Sequence, residues 1–166
     1  MASETVRQEI WQNMLDVDRQ TRYYHTLTER YQRKRNALNI VLFLAAAGGV
    51  SALVHILPAS LAPFLHGVVI VCVVFEFVRD YATKTAVLYT IRHDCQDLAT
   101  EWQSLWAQQN QLDEPTLIQR DTQLSHRLDT VTGRVDFIGI QEDVTLNETS
   151  TDTAYKTMGE RYGATP

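Results

Sequence analysis

The sequence lacks the short motifs that mark common catalytic and cofactor sites. Its 166 residues contain no Walker loop, no GxGxxG, no HExxH and no CxxC. Cysteine is scarce, with Cys72 inside an apolar run and Cys95 outside it. Because one cysteine lies inside the apolar run and the other outside it, we predict that the two do not pair. The sequence therefore indicates a reducing compartment and no disulfide framework. No two of the five histidines have metal-ligand spacing on one helical face, so we expect no metal ion. Ser, His and Asp residues occur without a nucleophile motif, so we expect no enzyme, and we expect no cofactor.

A strong excess of one charge is also absent. The chain has 20 acidic and 15 basic residues and a formal net charge of -5. A nucleic-acid-binding protein usually carries a basic excess, so this balance does not suggest a nucleic-acid partner.

Charge is missing altogether from the middle of the chain. Residues 37–57 and 61–75 contain no Asp, Glu, Lys or Arg. At 1.5 Å per residue the first run is about 31 Å long, the thickness of a bilayer's hydrocarbon core, and the second is similar if it continues to residue 78. Two buried helices of a soluble domain are the alternative, but such a helix usually has a polar face and neither run has one. The pattern therefore predicts an all-α membrane protein with transmembrane helices at 37–57 and 61–78.

The basic residues predict an orientation for this hairpin. Four of them directly precede the first run, two follow the second, and the connecting stretch has none: Arg30, Arg33, Lys34, Arg35, Arg79 and Lys84. By the positive-inside rule, both termini are then cytoplasmic and the tip of the hairpin lies on the other side.

Apolar residues recur every seven positions on both sides of the hairpin. The N-terminal helix, residues 1–36, and a long helix, residues 79–110, are both predicted to be cytoplasmic. Folded about the tip, the two stripes mirror each other and predict an antiparallel stalk; the alternative is that each stripe packs on a neighbouring subunit, and a bundle allows both. At the far end of the stalk, Trp11 and Trp106 are expected to form an aromatic cluster, or else a ligand-binding aromatic site. The stripes consist of Ile10, Val17, Tyr24, Tyr31 and Leu38, and of Tyr81, Leu88, Cys95 and Trp102.

The C-terminal part of the chain predicts one more helix and a tail. Pro115 suits a first helical turn and Gly133 a helix end, which places a third, shorter helix at residues 115–132. From residue 141 to 166 the chain is polar and rich in Thr, which is typical of a flexible tail. Residues 154–162 are compatible with one or two helical turns that dock either on the chain's own bundle or on a partner.

Two sets of residues in the apolar runs are candidates for function. Polar side chains in a membrane span are costly and often line a pathway, so one set comprises pore or polar intramembrane candidates. Small residues four apart let helix backbones approach closely, so the other set is a candidate for helix packing, against the second span or another copy. The polar set is Asn39, Ser51 and Glu76; the packing set is Ala45, Gly48, Gly49 and Ala52. Glu76 has an alternative role as an interfacial carboxylate paired with Arg79 or Asn39.

The order of these features resembles a known family. An Arg- and Tyr-rich helix, with Arg-Tyr-Tyr at 22–24 and Arg-Tyr-Gln-Arg-Lys-Arg at 30–35, enters a two-span hairpin that a long helix follows. Residues 5–110 thus resemble the SLATT class of bacterial two-transmembrane effectors, associated with nucleotide-signalling conflict systems. The resemblance implies a pore-forming or membrane-disrupting role in antiviral defence and no catalytic residues.

Two functions follow as hypotheses. The first is an oligomeric pore-forming or membrane-disrupting effector of a bacterial defence system, gated through its cytoplasmic stalk. The second is a membrane-anchored scaffold that recruits a soluble partner through its cytoplasmic helices. Both imply a multi-pass protein of the bacterial inner membrane. The expected partners are the lipid membrane, further copies of the chain and an upstream nucleotide-sensing protein, without nucleic acid.

Overall fold

A computed structural model describes residues 3–53 and 62–163, and these residues are all-α, as predicted. The helices are α1 (Glu4–Leu53), α2 (Ala62–Arg79), α3 (Tyr81–Ala107), α4 (Glu114–Thr132), α5 (Arg134–Phe137) and α6 (Val144–Tyr162). They divide into two compact units. Unit 1 comprises Met1–Thr28 and Val87–Pro166, and unit 2 comprises Glu29–Ala86.

The transmembrane hairpin predicted from the sequence is wrong. Within residues 3–53 and 62–163, none of the helices combines the length and the apolar character that crossing a membrane requires. Helix α2 has 18 residues, or about 27 Å, and includes His66, Glu76 and Arg79, whereas a span needs about 20 mostly apolar residues. In α1 the apolar run extends only from residue 37 to residue 53, and the expected tip lies outside the described residues. The membrane and pore interpretation and the multi-pass inner-membrane localisation are corrected accordingly.

The core of unit 1 follows the seven-residue stripes. Ile10 and Val17 on α1 are fully buried, as are Leu88 and Trp102 on α3. Seven residues are close to two helical turns, so residues at this spacing share one face and can pack against one face of a neighbouring helix. Burial raises the pKa of the Cys95 thiol, another member of the α3 stripe, to about 12.

Helix α4 has nearly the predicted bounds. It begins after Asp113, with Pro115 in its first turn, and Gly133 stands at its C-cap. Its apolar face buries Leu117, Leu124, Leu128 and Val131. The same face carries one buried carboxylate, that of Asp121.

Asp121 connects three helices of unit 1. Its two carboxylate oxygens accept hydrogen bonds from the Trp102 indole Nε1 on α3 and from the Asn13 amide Nδ2 on α1, both at 2.8 Å. A buried polar group is tolerated when it is hydrogen-bonded, and here each oxygen has a donor. The contact fixes α4 against both of its neighbours.

The segment expected to be a flexible tail is helix α6. Asp143 caps its N-terminus by accepting a hydrogen bond from the Leu146 amide at 3.0 Å. Leu146, Ser150, Ala154 and Met158 are buried at steps of four residues, which places them on one helical face. Two of these four side chains are small and one is polar, so the apolar periodicity is weak in the sequence even though the face is well packed.

The tryptophans form the expected aromatic cluster. The ring centroids of Trp11 and Trp106 are 5.5 Å apart. Tyr162, near the end of α6, adds an edge-on contact to Trp11 at 5.8 Å. Of the two alternatives for residues 154–162, the structure shows docking on the chain's own bundle.

Candidate functional site

The described residues contain no cluster typical of a metal centre. Across residues 3–53 and 62–163, no group of three or more His, Cys, Asp or Glu side chains is placed to hold a metal ion. Candidate sites must therefore be sought among surfaces and grooves, and two of these stand out.

The first is an apolar surface of unit 2. Ten large apolar side chains on α1 and α2 are exposed, with Phe43 at 73% and Phe64 at 69% of full exposure. We call this set the apolar face. Its members on α1 are Ile40, Val41, Phe43 and Leu44, and those on α2 are Phe64, Ile70, Val71, Val73, Val74 and Phe75.

The sequence explains why this face remains uncovered. Neighbouring residues of a helix point about 100° apart, so adjacent pairs such as Ile40 and Val41, or Phe43 and Leu44, cannot all face one partner helix. Helices that are apolar all round are found in cores or in other fully covered positions. The apolar face is therefore wider than a single intramolecular helix contact covers.

Aromatic rings mark one end of the apolar face. Phe75 on α2 lies 6.2 Å from the ring of Tyr81, and Tyr81 lies 6.0 Å from Tyr31 on α1. The Lys34 ammonium stands 5.6 Å above the Tyr31 ring, within the range of a cation–π contact. The basic residues before residue 37 thus adjoin an aromatic cluster inside unit 2.

The residues predicted to line or pack a membrane hairpin have different outcomes. Asn39 lies exposed on α1, so it does not contribute to a buried polar pathway in the structure. The other six candidates are on α1 or α2, but their side chains lie outside the described residues: Ser51, Glu76, Ala45, Gly48, Gly49 and Ala52.

The second candidate surface is a set of three polar contacts between residues 94–108 and residues 120–134, which we call the ladder. Arg134 donates to Asp94 at 2.7 Å and Arg127 donates to Glu101 at 2.6 Å. The third contact runs from Arg120 to the neutral side chain of Gln108 at 3.4 Å. The three contacts run antiparallel at steps of seven residues along each segment. The Arg127–Glu101 pair joins α4 to α3, Arg134 joins the start of α5 to α3, and Gln108 lies just after the end of α3.

Sequence reasoning missed this ladder, although its signal is present. The acidic and amide residues at 94, 101 and 108, and the arginines at 120, 127 and 134, each repeat every seven positions. Charged residues flanking an apolar stripe are typical of helix pairs. The side-chain hydrogen bond with Glu101 raises the pKa of Arg127 above its usual value.

Beside the ladder lies an open groove of about 320 Å³. The buried side chains of Leu105 and Leu124 contribute its apolar lining, and its polar lining includes Ser104, Gln123 and Arg120. Among the described residues that line this groove, the carboxylate of Glu101 is paired with Arg127, and the Arg120 guanidinium has no carboxylate partner.

Charge is distributed unevenly between the two units. Unit 2 contains six basic and three acidic residues, which leaves nine of the 15 basic and 17 of the 20 acidic residues in unit 1. The groove at Arg120 is therefore a locally positive position within an acidic unit.

Comparison with known proteins identifies no relative. No protein-family model matches the chain, and no curated protein or solved structure shows significant similarity to it. The resemblance to SLATT effectors stays a prediction from layout, and function must be argued from the chain's own surfaces.

Proposed function

We propose that this protein is a non-enzymatic helical scaffold that assembles with further copies of itself through the apolar face of unit 2. Unit 1 then presents its surface to a soluble partner. The observation that carries this proposal is the exposure of ten large apolar side chains on two helices of one unit.

The size of the apolar face supports a stable protein contact. The exposed fractions of its ten side chains leave roughly 1,000 Å² of apolar surface accessible. This figure takes the full area of an aromatic side chain as on the order of 150–250 Å² and that of an aliphatic one as somewhat less. A monomer's largest apolar patch is about 300–600 Å², and a standard interface buries about 800 Å² on each partner. The summed exposed area of the ten side chains thus exceeds that of an ordinary monomer's largest apolar patch, and it is enough for a specific interface.

The chemistry of the face favours a second copy of the chain as its occupant. None of the ten side chains is charged, so a partner needs an equally apolar surface, and an identical copy has one. A two-fold contact uses the same patch on both subunits. If the paired helices run antiparallel, the basic residues around Arg33 and Lys34 of the two copies also stay apart, which avoids repulsion between like charges.

The test is the dependence of molecular mass on protein concentration. Full-length protein in aqueous buffer should form a dimer or higher oligomer by sedimentation and light scattering. Phe43→Ser combined with Phe64→Ser should shift the equilibrium to the monomer by at least about tenfold, since the two rings contribute much of the exposed area. The matched control is Phe137→Ser, which removes an aromatic ring that is 89% exposed in unit 1.

Two outcomes would contradict self-assembly. One is a monomer at every concentration, including well above the micromolar range. The other is that the protein floats with lipid vesicles and does not self-associate without them, and that the double substitution abolishes flotation. In that case the apolar face would serve a lipid surface.

A further inference from the structure

The ladder is complete at two of its three positions. Arg134 and Arg127 each donate to a carboxylate at a short distance, 2.7 Å and 2.6 Å. Arg120 meets Gln108 instead, and the distance of 3.4 Å is beyond the usual 2.7–3.2 Å for a strong hydrogen bond. A neutral residue thus stands at the position where the seven-residue repeat would place a third acid.

Because Gln108 is neutral, the guanidinium of Arg120 remains a charged donor at an accessible site. Arg120 is exposed, and it borders the groove whose lining includes Leu105 and Leu124. The acid nearest to it in the groove, Glu101, already accepts from Arg127. A planar guanidinium with several donors is suited to a carboxylate, which it can bind through two parallel hydrogen bonds.

We propose that the groove at Arg120 binds an acidic side chain of a soluble protein partner, with the carboxylate of that side chain taking the place of the missing third acid of the ladder. The aliphatic part of the same partner segment would contact Leu105 and Leu124. This inference rests on the proposed scaffold role, because it names the chemistry of the partner that unit 1 presents itself to.

The charge around the groove gives the site its selectivity. Unit 1 has eight more acidic than basic residues, so an acidic segment is repelled over most of its surface. At physiological ionic strength the Debye length is about 8 Å, so attraction by Arg120 acts locally and is not cancelled by distant acids. Within unit 1, an acidic segment is therefore directed to the groove and disfavoured over the rest of that unit's surface.

The experiment measures binding of a fluorescent helical peptide of Ala and Glu to full-length protein by anisotropy. Arg120→Gln and Gln108→Glu should each weaken binding by about tenfold or more, the first by removing the donor and the second by occupying it. Gln111→Glu is the matched control, since it adds the same charge at an exposed position outside the ladder, and it should change the affinity less than about twofold. Arg120→Lys should weaken binding as well, because lysine keeps the charge but lacks the planar guanidinium that binds a carboxylate through two parallel hydrogen bonds.

Several outcomes would overturn the inference. These are no peptide binding at millimolar protein, equal affinity in the wild type and Gln108→Glu, and equal binding of a peptide of Ala and Lys. Displacement of the peptide by inorganic phosphate at matched concentration would also count against it, because it would mark a general anion site. The urea midpoint of each variant shows that folding is retained. Peptide binding by a protein that stays monomeric would leave this inference standing and reject only the self-assembly through unit 2.

Discussion

Replacement of Asp121 by Ala tests whether unit 1 is held together at one buried polar contact. The substitution removes the acceptor for both the Trp102 indole and the Asn13 amide, each bound at 2.8 Å. Trp102 is fully buried, so its N–H has no access to water after the change. A buried donor left without a partner costs about 1–3 kcal/mol.

Summed over two donors, of which Asn13 is only partly buried, the expected loss is about 2–5 kcal/mol. Urea unfolding followed by circular dichroism at 222 nm measures it as a lower midpoint with an unchanged slope. Asp129→Ala is the control, because Asp129 is exposed on the same helix and its removal should change stability by no more than about 0.5 kcal/mol.

A conservative variant separates hydrogen bonding from packing. Asp121→Asn keeps the size of the side chain but replaces one acceptor by a donor that faces another donor. It should therefore lose about 1–3 kcal/mol, less than Asp121→Ala. If Asp121→Ala costs less than about 1 kcal/mol, or no more than Asp129→Ala, the three-helix contact is not a significant source of stability and the reasoning fails.

Two further predictions concern the core of unit 1. Burial raises the pKa of the Cys95 thiol from 9.0 to about 12, so the folded state favours the protonated thiol. The contribution of this thiol to stability should be complete below pH 9 and should fall as the pH rises towards 12. At pH 10 the expected loss in the free energy of unfolding is about 1 kcal/mol. Urea midpoints at pH 7 and pH 10 measure this loss, and an equal loss in Cys95→Ala would assign it to another group. Ala154→Leu should overfill the buried face of α6, cost about 1–3 kcal/mol and speed proteolysis within residues 144–162, whereas Thr153→Leu on the exposed face should not. Unchanged cleavage in Ala154→Leu would mean that α6 is not packed at this position.

The parts of the fold that the sequence predicts are those with strong local periodicity. The stripe from Ile10 to Tyr24 and the stripe from Leu88 to Trp102 are both buried. Residues seven positions apart lie on the same face of a helix, so large apolar residues at this spacing can all pack against one neighbouring helix. Helix α4 has Pro115 in its first turn, where the fixed φ of proline suits a helix start and needs no tertiary partner. Gly133 stands at the predicted end of α4 but keeps right-handed helical φ and ψ.

The parts that escaped prediction depend on contacts between distant residues. A carboxylate such as Asp121 reads as a surface group, and its burial becomes visible only when Asn13, 108 positions away, is brought to it. Helix α6 is hard to predict because its many threonines are typical of a polar, flexible segment. In the structure their hydroxyls donate to the carbonyl four residues earlier, as Thr149 does to Thr145 at 2.8 Å. The membrane interpretation is wrong because a long apolar run indicates only that its side chains favour contact with apolar groups. The run does not show whether those groups belong to lipid or to protein.

The two units thus obey different rules of stabilisation, and this makes their functions separable by experiment. In unit 1 the apolar stripes are covered within the chain, and Asp121 has its donors, so its unfolding should not depend on protein concentration. In unit 2 the apolar face is exposed, and a partner that binds the folded form alone raises its stability in proportion to the logarithm of the partner's concentration. If both proposals hold, a substitution at Phe43 should reduce assembly and leave binding at the Arg120 groove unchanged, whereas Gln108→Glu should reduce binding at that groove and leave assembly unchanged.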